Sequence, residues 1–128
     1  MPRLRVVGLG GKLPRWAEEA CAEYAKRMPR GYEVERMFAK SVPRKGALVA
    51  LDERGKEMTT PQFAKLLGKE ATFVIGGPDG LDDALKKDAA LLLSLSALTL
   101  PHALAHVVLV EQIYRAATLL TGHPYHRA

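Results

Sequence analysis

The sequence predicts an α/β protein in which a mostly parallel sheet is flanked by helices on both faces. Segments typical of strands alternate with segments typical of helices along the chain, which is the order that builds a parallel sheet. The later strand segments, residues 47–51 and 71–75, are apolar except for Thr72, as strands buried on both faces are. At 128 residues the chain fits one domain with a substantial core.

The first third of the chain predicts two strands and one helix. Residues 4–7 predict a strand, and the glycines that follow in residues 8–11 predict a tight turn after an edge strand. Residues 14–28 predict a helix with a proline near its start. Charged and apolar residues alternate over residues 33–38, which indicates a half-exposed strand, and a short basic loop follows at 41–46.

The remainder predicts the core of the sheet and a long final helix. Thr60 is the expected N-cap of a helix because Pro61 occupies the position that favours proline. The predicted elements in order are strand 47–51, helix 60–67, strand 71–75, helix 81–90, a last strand within residues 95–102, and helix 103–120.

The ends of three strands form the candidate ligand site. Ligands of open parallel sheets bind outside the carboxyl ends of strands, which here are the loops after Leu51, Ile75 and Leu98. Residues 95–102 alternate Leu with small residues, so we expect Leu98 and Leu100 to be buried while backbone groups face a flat heterocycle. A core strand that ends in a turn explains the same pattern.

Two glycine-rich segments invite a nucleotide interpretation. The first, residues 8–11, fails because Leu13 stands where a dinucleotide motif needs Gly and a phosphate loop needs Ser or Thr. The second, residues 76–80, would let a ligand approach the backbone, but Asp79 and Asp82 would repel phosphate. A neutral or cationic ligand is therefore favoured there.

Composition excludes several classes of protein. No apolar run approaches the roughly 20 residues of a membrane span, and the single Cys21 suits a reducing cytoplasm. His102 and His106 stand four residues apart, but Ala103 replaces the Glu of a zincin motif and no carboxylate cluster completes a site. We therefore expect neither a membrane nor a metal.

Basic residues are concentrated near the N-terminus. Residues 1–45 contain 11 Lys and Arg against 5 Glu, whereas residues 46–128 contain 8 against 9 acidic residues. This distribution favours an anionic partner such as nucleic acid, although solvated helix faces explain it almost as well.

The final helix and the tail indicate a second subunit. Residues 103–110 are apolar around almost the whole helix, more than one sheet face can cover, which predicts contact with a second copy. Glu111 and Arg115 are expected to form a surface ion pair. The tail after Gly122 is rich in His, Tyr and Arg; it is either frayed, as most termini are, or reaches a neighbouring active site.

Four segments together resemble one known family. They are Ile-Gly-Gly-Pro-Asp-Gly at 75–80, Ser-Leu-Ser-Ala-Leu-Thr-Leu-Pro-His at 94–102, Tyr-Arg-Ala at 114–116 and His-Pro-Tyr-His-Arg at 123–127. In this order and spacing they resemble the RlmH (YbeA) family of ribosomal RNA methyltransferases, within the SPOUT superfamily. The resemblance is dense over residues 47–128.

The resemblance implies a SPOUT-type fold with a deep C-terminal trefoil knot and a homodimer. The length predicts a single SPOUT domain over residues 1–128, and the single Cys21 favours a cytoplasmic location. The resemblance also implies S-adenosylmethionine as cofactor, held in the knot by backbone groups of three loops. The cofactor-binding residues that it implies are Leu51, Gly76, Gly77, Leu95, Ser96, Ala97, Leu98, Thr99 and Leu100.

The reaction that the resemblance implies is methylation of N3 of a pseudouridine in 23S ribosomal RNA. We expect the tail, residues 123–128, to complete the active site. Arg127 would stabilise the charge that grows on the carbonyl oxygens of the base, and His126 or Tyr125 would position the base or assist proton loss. His102 is a further candidate for contacting the substrate or orienting the tail.

The chain departs from the family pattern between its second and third strands. Residues 41–46 stand where family members usually carry an extra helix, which puts the mode of RNA binding in doubt. Another SPOUT activity on transfer RNA, at a base or a ribose, and a non-catalytic RNA- or ribosome-binding module remain alternatives. The candidate phosphate contacts are Arg3, Arg5, Lys12, Arg15, Lys26, Arg27, Arg30, Arg44 and Lys45.

Overall fold

In a computed structural model, which describes residues 3–127, five strands form one sheet between helices. The strands are β1 (Leu4–Gly8), β2 (Val34–Phe38), β3 (Ala47–Glu57), β4 (Ala71–Ile75) and β5 (Leu91–Ser94). The α-helices are α1 (Arg15–Lys26), α2 (Thr60–Ala64), α3 (Asp83–Asp88) and α4 (His102–Thr121). Single 3₁₀ turns follow at Lys65–Gly68 and at Pro124–Arg127; the second is called the tail turn below.

The sheet is parallel throughout, in the order β2-β1-β4-β3-β5, and this confirms the predicted α/β class. β1 lies between β2 and β4, so its prediction as an edge strand was wrong. All five of its residues are buried, including Arg5, whose guanidinium forms a 2.9 Å ion pair with Glu70. A short apolar strand suits either position, and only its pairing partners decide between them.

Helices cover both faces unequally. On one face, residues of α1, α2 and α4 pack with alternate residues of the sheet around Phe73, which is fully buried. On the other face, Leu85 of α3 and Leu81, which lies just before that helix, form a smaller cluster with Val7 and Val74. Because each strand sends alternate side chains to opposite faces, this arrangement explains why β4 is buried at every position.

Two helix starts differ from their prediction. Thr59, not Thr60, caps α2: its hydroxyl accepts the Gln62 amide, and the Gln62 side chain accepts the Thr59 amide in return. α3 begins at Asp83 instead of residue 81 because the Asp82 carboxylate accepts the amide of Leu85. Both caps use side-chain oxygens that satisfy amides of the first turn.

Strand β3 is longer than predicted and β5 ends earlier. β3 continues past Leu51 to Glu57, and after an irregularity Lys56 pairs with Leu93 of β5. Residues 95–101 form a loop, so the prediction of a strand within 95–102 was wrong. Burial of Leu98 was also predicted wrongly, since 78% of this residue is exposed.

α4 crosses one face of the sheet as a core helix. Leu109, Val110 and Ile113 are completely buried, whereas Leu104 and Leu120 are exposed. The helix has the length and mean hydropathy of a membrane span, a property that core helices of soluble proteins share. Its packing against the sheet accounts for that apolar character on one side only.

Candidate cofactor and active site

A cavity of about 510 Å³ opens at the carboxyl ends of β4 and β5 and beside residues 51–53 in the middle of β3. Its volume is within the range of small-molecule sites, and its position follows the rule for parallel sheets. Eight of the nine residues implied for cofactor binding line it: Leu51, Gly76, Gly77, Leu95, Ser96, Leu98, Thr99 and Leu100. Ala97 lies on the same loop but is exposed and outside the lining. Their role in cofactor binding stays a prediction.

Close backbone packing forms the wall after β4. The amide of Gly80 donates to the carbonyl of Gly77 at 2.9 Å, which folds residues 76–80 into a tight turn with Gly80 at φ +76°. A Cβ atom on Gly76 would lie 2.6 Å from the carbonyl carbon of Gly80. A Cβ atom on Gly77 would lie 2.8 Å from Cα of Gly10. Glycine is therefore required so that this turn can pack and present its backbone.

The opposite wall is held by its own hydrogen bonds. The hydroxyl of Ser94 donates to the carbonyl of Ser96 at 2.9 Å, and the amide of Leu98 donates to the hydroxyl of Ser96 at 2.9 Å. These local bonds replace the ladder of a strand, which explains why β5 stops at Ser94. The serines that suggested a strand edge in fact shape a loop around the cavity.

Two acidic residues at the cavity were missed by the sequence interpretation. Asp52 and Glu53 line it, whereas Asp79, which carried the charge argument, is exposed outside the lining. The carboxylate of Asp52 accepts the amide of Arg54 at 3.0 Å and pairs with the Lys86 ammonium at 3.3 Å. The Arg54 amide foremost, with Lys86, holds the pKa of Asp52 below its usual range. Their sequence position, directly after the apolar residues of β3, could have indicated that both acids lie at the cavity.

Two histidines connect the cavity to the core. His102 lines the cavity, and its ring centroid lies 4.8 Å from that of His106 in an edge-on arrangement. His106 is 1% exposed, and burial foremost, with the electrostatic effects of His102 and Arg36, lowers its pKa to about 4. His106 is therefore neutral at physiological pH. The Nε2 atoms of both rings are buried without a hydrogen-bond partner among the described residues.

The tail turn packs against the C-terminal half of α4. The hydroxyl of Tyr125 donates to Glu111 Oε2 at 2.8 Å, and its ring lies 4.5 Å from that of Tyr114. Burial foremost, and then its contacts with Tyr24 and Glu111, raises the pKa of Tyr125. His126 is half-buried and Arg127 is exposed. The Glu111–Arg115 ion pair is confirmed, but it is half-buried under the tail instead of on the surface.

The cavity lies at the N-terminal end of α4, whereas the tail packs against the middle and the C-terminal half of the helix. Glu111 and Arg115 follow His102 by 9 and 13 residues, which places the tail contacts roughly 14 to 20 Å along the helix from the cavity. The structure thus gathers the residues implied for the cofactor, but it does not bring Tyr125, His126 and Arg127 to them within one chain.

Eight of the nine basic residues proposed as phosphate contacts are exposed, and Arg5 is not. Because Arg5 is 3% exposed and paired with Glu70, it is removed from that set. Arg15, Arg27 and Arg44 form exposed ion pairs with nearby acids. Such pairs contribute little to stability, so these side chains remain accessible to RNA.

Comparison with known proteins decides the family. A sequence profile described as "Predicted SPOUT methyltransferase" matches residues 32–126. Ribosomal RNA large subunit methyltransferase H of Polynucleobacter asymbioticus is 45% identical over 145 residues, covering 98% of this chain and 99% of that protein. The protein of the same name from Laribacter hongkongensis is 41% identical over 155 residues, with the same coverage. The chain belongs to the RlmH family of SPOUT methyltransferases.

These alignments to RlmH relatives are longer than the 128-residue chain itself, so the relatives contain positions that this chain lacks. Solved structures agree on the fold. A probable methylase family protein from Haemophilus influenzae matches with a TM-score of 0.68 at 13% identity, over 95% of this chain and 69% of that one. A putative RNA methyltransferase from Bacillus anthracis matches with a TM-score of 0.61 at 13% identity, over 91% and 94%. At this identity the two structures support the SPOUT-type fold alone.

Proposed function

We propose that this RlmH family member transfers a methyl group from S-adenosylmethionine to N3 of a pseudouridine in 23S ribosomal RNA. The observation that carries the proposal is the cavity at the carboxyl edge of the sheet, lined by eight of the nine residues that the family resemblance assigns to the cofactor. The proteins named ribosomal RNA large subunit methyltransferase H align with nearly the whole chain, which supports the same substrate class.

The chemistry of the cavity fits a cationic cofactor. When bound, S-adenosylmethionine supplies a methyl group activated by a positively charged sulfonium. Asp52 and Glu53 are two acidic residues in the lining against one Lys, Lys86, which pairs with Asp52 at 3.3 Å, so the cavity keeps an excess of acidic groups for a cation. The glycine turn at Gly76 and Gly77 offers backbone groups at close range, and Leu51 with Leu95 offers an apolar wall.

The tail residues are assigned to the RNA base. The imide nitrogen must lose its proton before it can attack, and the negative charge then spreads to the flanking carbonyl oxygens. We assign stabilisation of that charge to the Arg127 guanidinium and assistance of proton loss to His126. His102, which lines the cavity, is placed to contact the substrate. Alignment of the two reactants in one pocket accounts for much of the remaining rate enhancement.

A second subunit is required by this assignment. Because the tail packs roughly 14 to 20 Å along α4 from its own cavity, it can complete only the cavity of a partner. Leu104 and Leu120 are exposed apolar residues on different sides of α4, and each is a candidate contact in such a homodimer. The trefoil knot, the cytoplasmic location and the absence of a metal stay predictions. Among the described residues no group of three or more His, Cys, Asp or Glu could hold a metal ion.

The proposal is tested with ribosomes from a strain that lacks the gene. Incubation with the protein and labelled S-adenosylmethionine should place one methyl group on a pseudouridine of 23S ribosomal RNA, located by mass spectrometry of RNA fragments. Label in transfer RNA instead would contradict the substrate and favour another SPOUT activity. Ribosome binding without label transfer would contradict catalysis and favour a binding module.

A further inference from the structure

The carboxylate of Glu111 is the centre of a side-chain cluster beneath the tail. Its Oε2 atom accepts the hydroxyl of Tyr125 at 2.8 Å and is 2.9 Å from Nη2 of Arg115. Its Oε1 atom accepts the side-chain amide of Gln112 at 2.7 Å. The Glu111 side chain is 17% exposed, so both of its oxygens are committed to partners within the chain.

Tyr125 is enclosed on several sides. Besides its bond to Glu111, its ring lies 4.5 Å from that of Tyr114, and the guanidinium of Arg115 lies 4.9 Å above it. Gln112 extends the cluster to the core because its side-chain oxygen accepts the hydroxyl of Thr60 in α2 at 2.8 Å. The ring of Tyr125 therefore has a fixed position relative to α4 and, through Glu111 and Gln112, relative to α2.

The connection between α4 and Tyr125 is short and fixed. Gly122 ends α4 in the left-handed region at φ +78°, and the amide of His123 donates to the carbonyl of Thr118 at 3.0 Å. The amide of Tyr125 then donates to Nδ1 of His123 at 3.2 Å. His126 and Arg127 follow Tyr125 directly in the same 3₁₀ turn. A fixed Tyr125 therefore sets the direction in which these two residues point away from α4.

We propose that Glu111 and Tyr125 form a latch that orients the tail, and that Tyr125 is a positioning residue instead of a proton-transfer group. This inference rests on the proposed function, which gives His126 and Arg127 their role at the RNA base. The phenol proton already belongs to a hydrogen bond with a carboxylate, a strong type of bond, and its ring is packed against α4. Proton transfer by Tyr125 would require this bond to break at the moment of reaction.

A double-mutant cycle separates the two roles. Tyr125→Phe removes only the hydroxyl, Glu111→Gln removes the charge, and the double variant combines them. We expect each variant to lower kcat about tenfold, the size of a lost hydrogen bond to a charged group, with the double variant no slower than the slower single one. The KM for S-adenosylmethionine and the shape of the pH profile of kcat should not change. Tyr32→Phe, a half-buried tyrosine elsewhere, should retain full activity.

A catalytic phenol would give a different pattern. A loss of more than a hundredfold for Tyr125→Phe but not for Glu111→Gln would overturn the latch. Multiplying effects in the double variant, or loss of one limb of the pH profile in Tyr125→Phe alone, would overturn it as well.

Hydrogen exchange tests the latch without any activity. In the unmodified protein the amides of His123 and of residues 125–127 should exchange more slowly than in a free peptide, and both single variants should accelerate them, with α4 unchanged. Fast exchange in the unmodified protein would overturn the latch whatever the activity. If exchange is slow but ribosomal RNA receives no methyl group, the proposed function is wrong and the latch stands.

Discussion

The two ends of α4 are built in different ways. At the N-terminal end, the cavity beside His102 is formed by backbone turns, with a glycine at Gly77 so close to Gly10 that no side chain fits between them. At the C-terminal end, the tail is held by side chains that converge on Glu111. The cavity end requires glycines, which have no side-chain atoms, whereas the tail end requires side chains that bond to one another.

Because of this difference, the two ends should be sensitive to different kinds of substitution. Added atoms at the glycines should damage the cavity, because the turns that form its walls already contact neighbouring backbone. Most side-chain truncations there should be tolerated. Removed atoms should damage the tail, because each polar group of the cluster depends on a specific partner. Variants at the cavity should therefore change cofactor binding, whereas variants at the tail should change the rate of methyl transfer.

Removal of the tail should have the largest effect. A chain that ends after Gly122 loses Arg127 and His126, so we expect methyl transfer to fall by about a thousandfold or more, the combined size of lost charge stabilisation and proton transfer. Affinity for S-adenosylmethionine should be unchanged, because the tail is assigned to the RNA base and the residues implied for the cofactor lie on the loops that line the cavity. Single-turnover methylation and calorimetry measure the two quantities. Full activity in the shortened chain would refute the assignment of the tail.

His106, between the two ends, should make stability depend on pH. Its pKa is about 4 in the folded protein against an ordinary 6.5, so the unfolded chain binds the proton first as the pH falls. The free energy of unfolding should therefore decrease between pH 6.5 and pH 4, by about 3 kcal/mol in total from this group. Urea unfolding at several pH values measures this, and His106→Gln should remove that part of the slope. An equal slope in the variant would contradict the neutral state of His106.

The smallest expected effect concerns RNA contact at the carboxyl edge. Lys12 is exposed in the loop after Gly10, which packs against the cavity turn, so we expect Lys12→Gln to weaken RNA binding a few-fold. It should also reduce the slope of log affinity against log salt by about one. Lys69→Gln is the matched control, since Lys69 is exposed just before β4, at the amino edge. Equal slopes for all three proteins would argue against RNA binding at this edge.

The parallel sheet and the place of the cavity could be predicted from sequence. Apolar strands such as 71–75 indicate burial on both faces, and the rule for carboxyl ends then selects the loops. The exposure of Leu98 could not be predicted, because the hydroxyl of Ser96 forms a local turn that overrides the alternating pattern. The interior position of β1 also depends on pairing with distant strands, which periodicity does not encode.

The tail shows the same limit more clearly. Tyr125 and Glu111 are 14 residues apart, and only the αL turn at Gly122 brings the tail back against α4. The family resemblance suggested catalytic roles for Tyr125, His126 and Arg127, and the spacing of Glu111 and Arg115 predicted a surface ion pair. The structure favours separate roles, with Tyr125 as an anchor for the residues that follow it.

Titration with S-adenosylmethionine tests the central claim most directly. Calorimetry should give saturable binding to the unmodified chain and to Gly68→Ala, where an added Cβ atom meets no other atom within 4 Å. Gly77→Ala, where the same atom would meet Gly10 at 2.8 Å, should bind at least tenfold more weakly. Absence of binding to the unmodified chain, or equal affinity in Gly77→Ala, would contradict the assignment of this cavity to the cofactor.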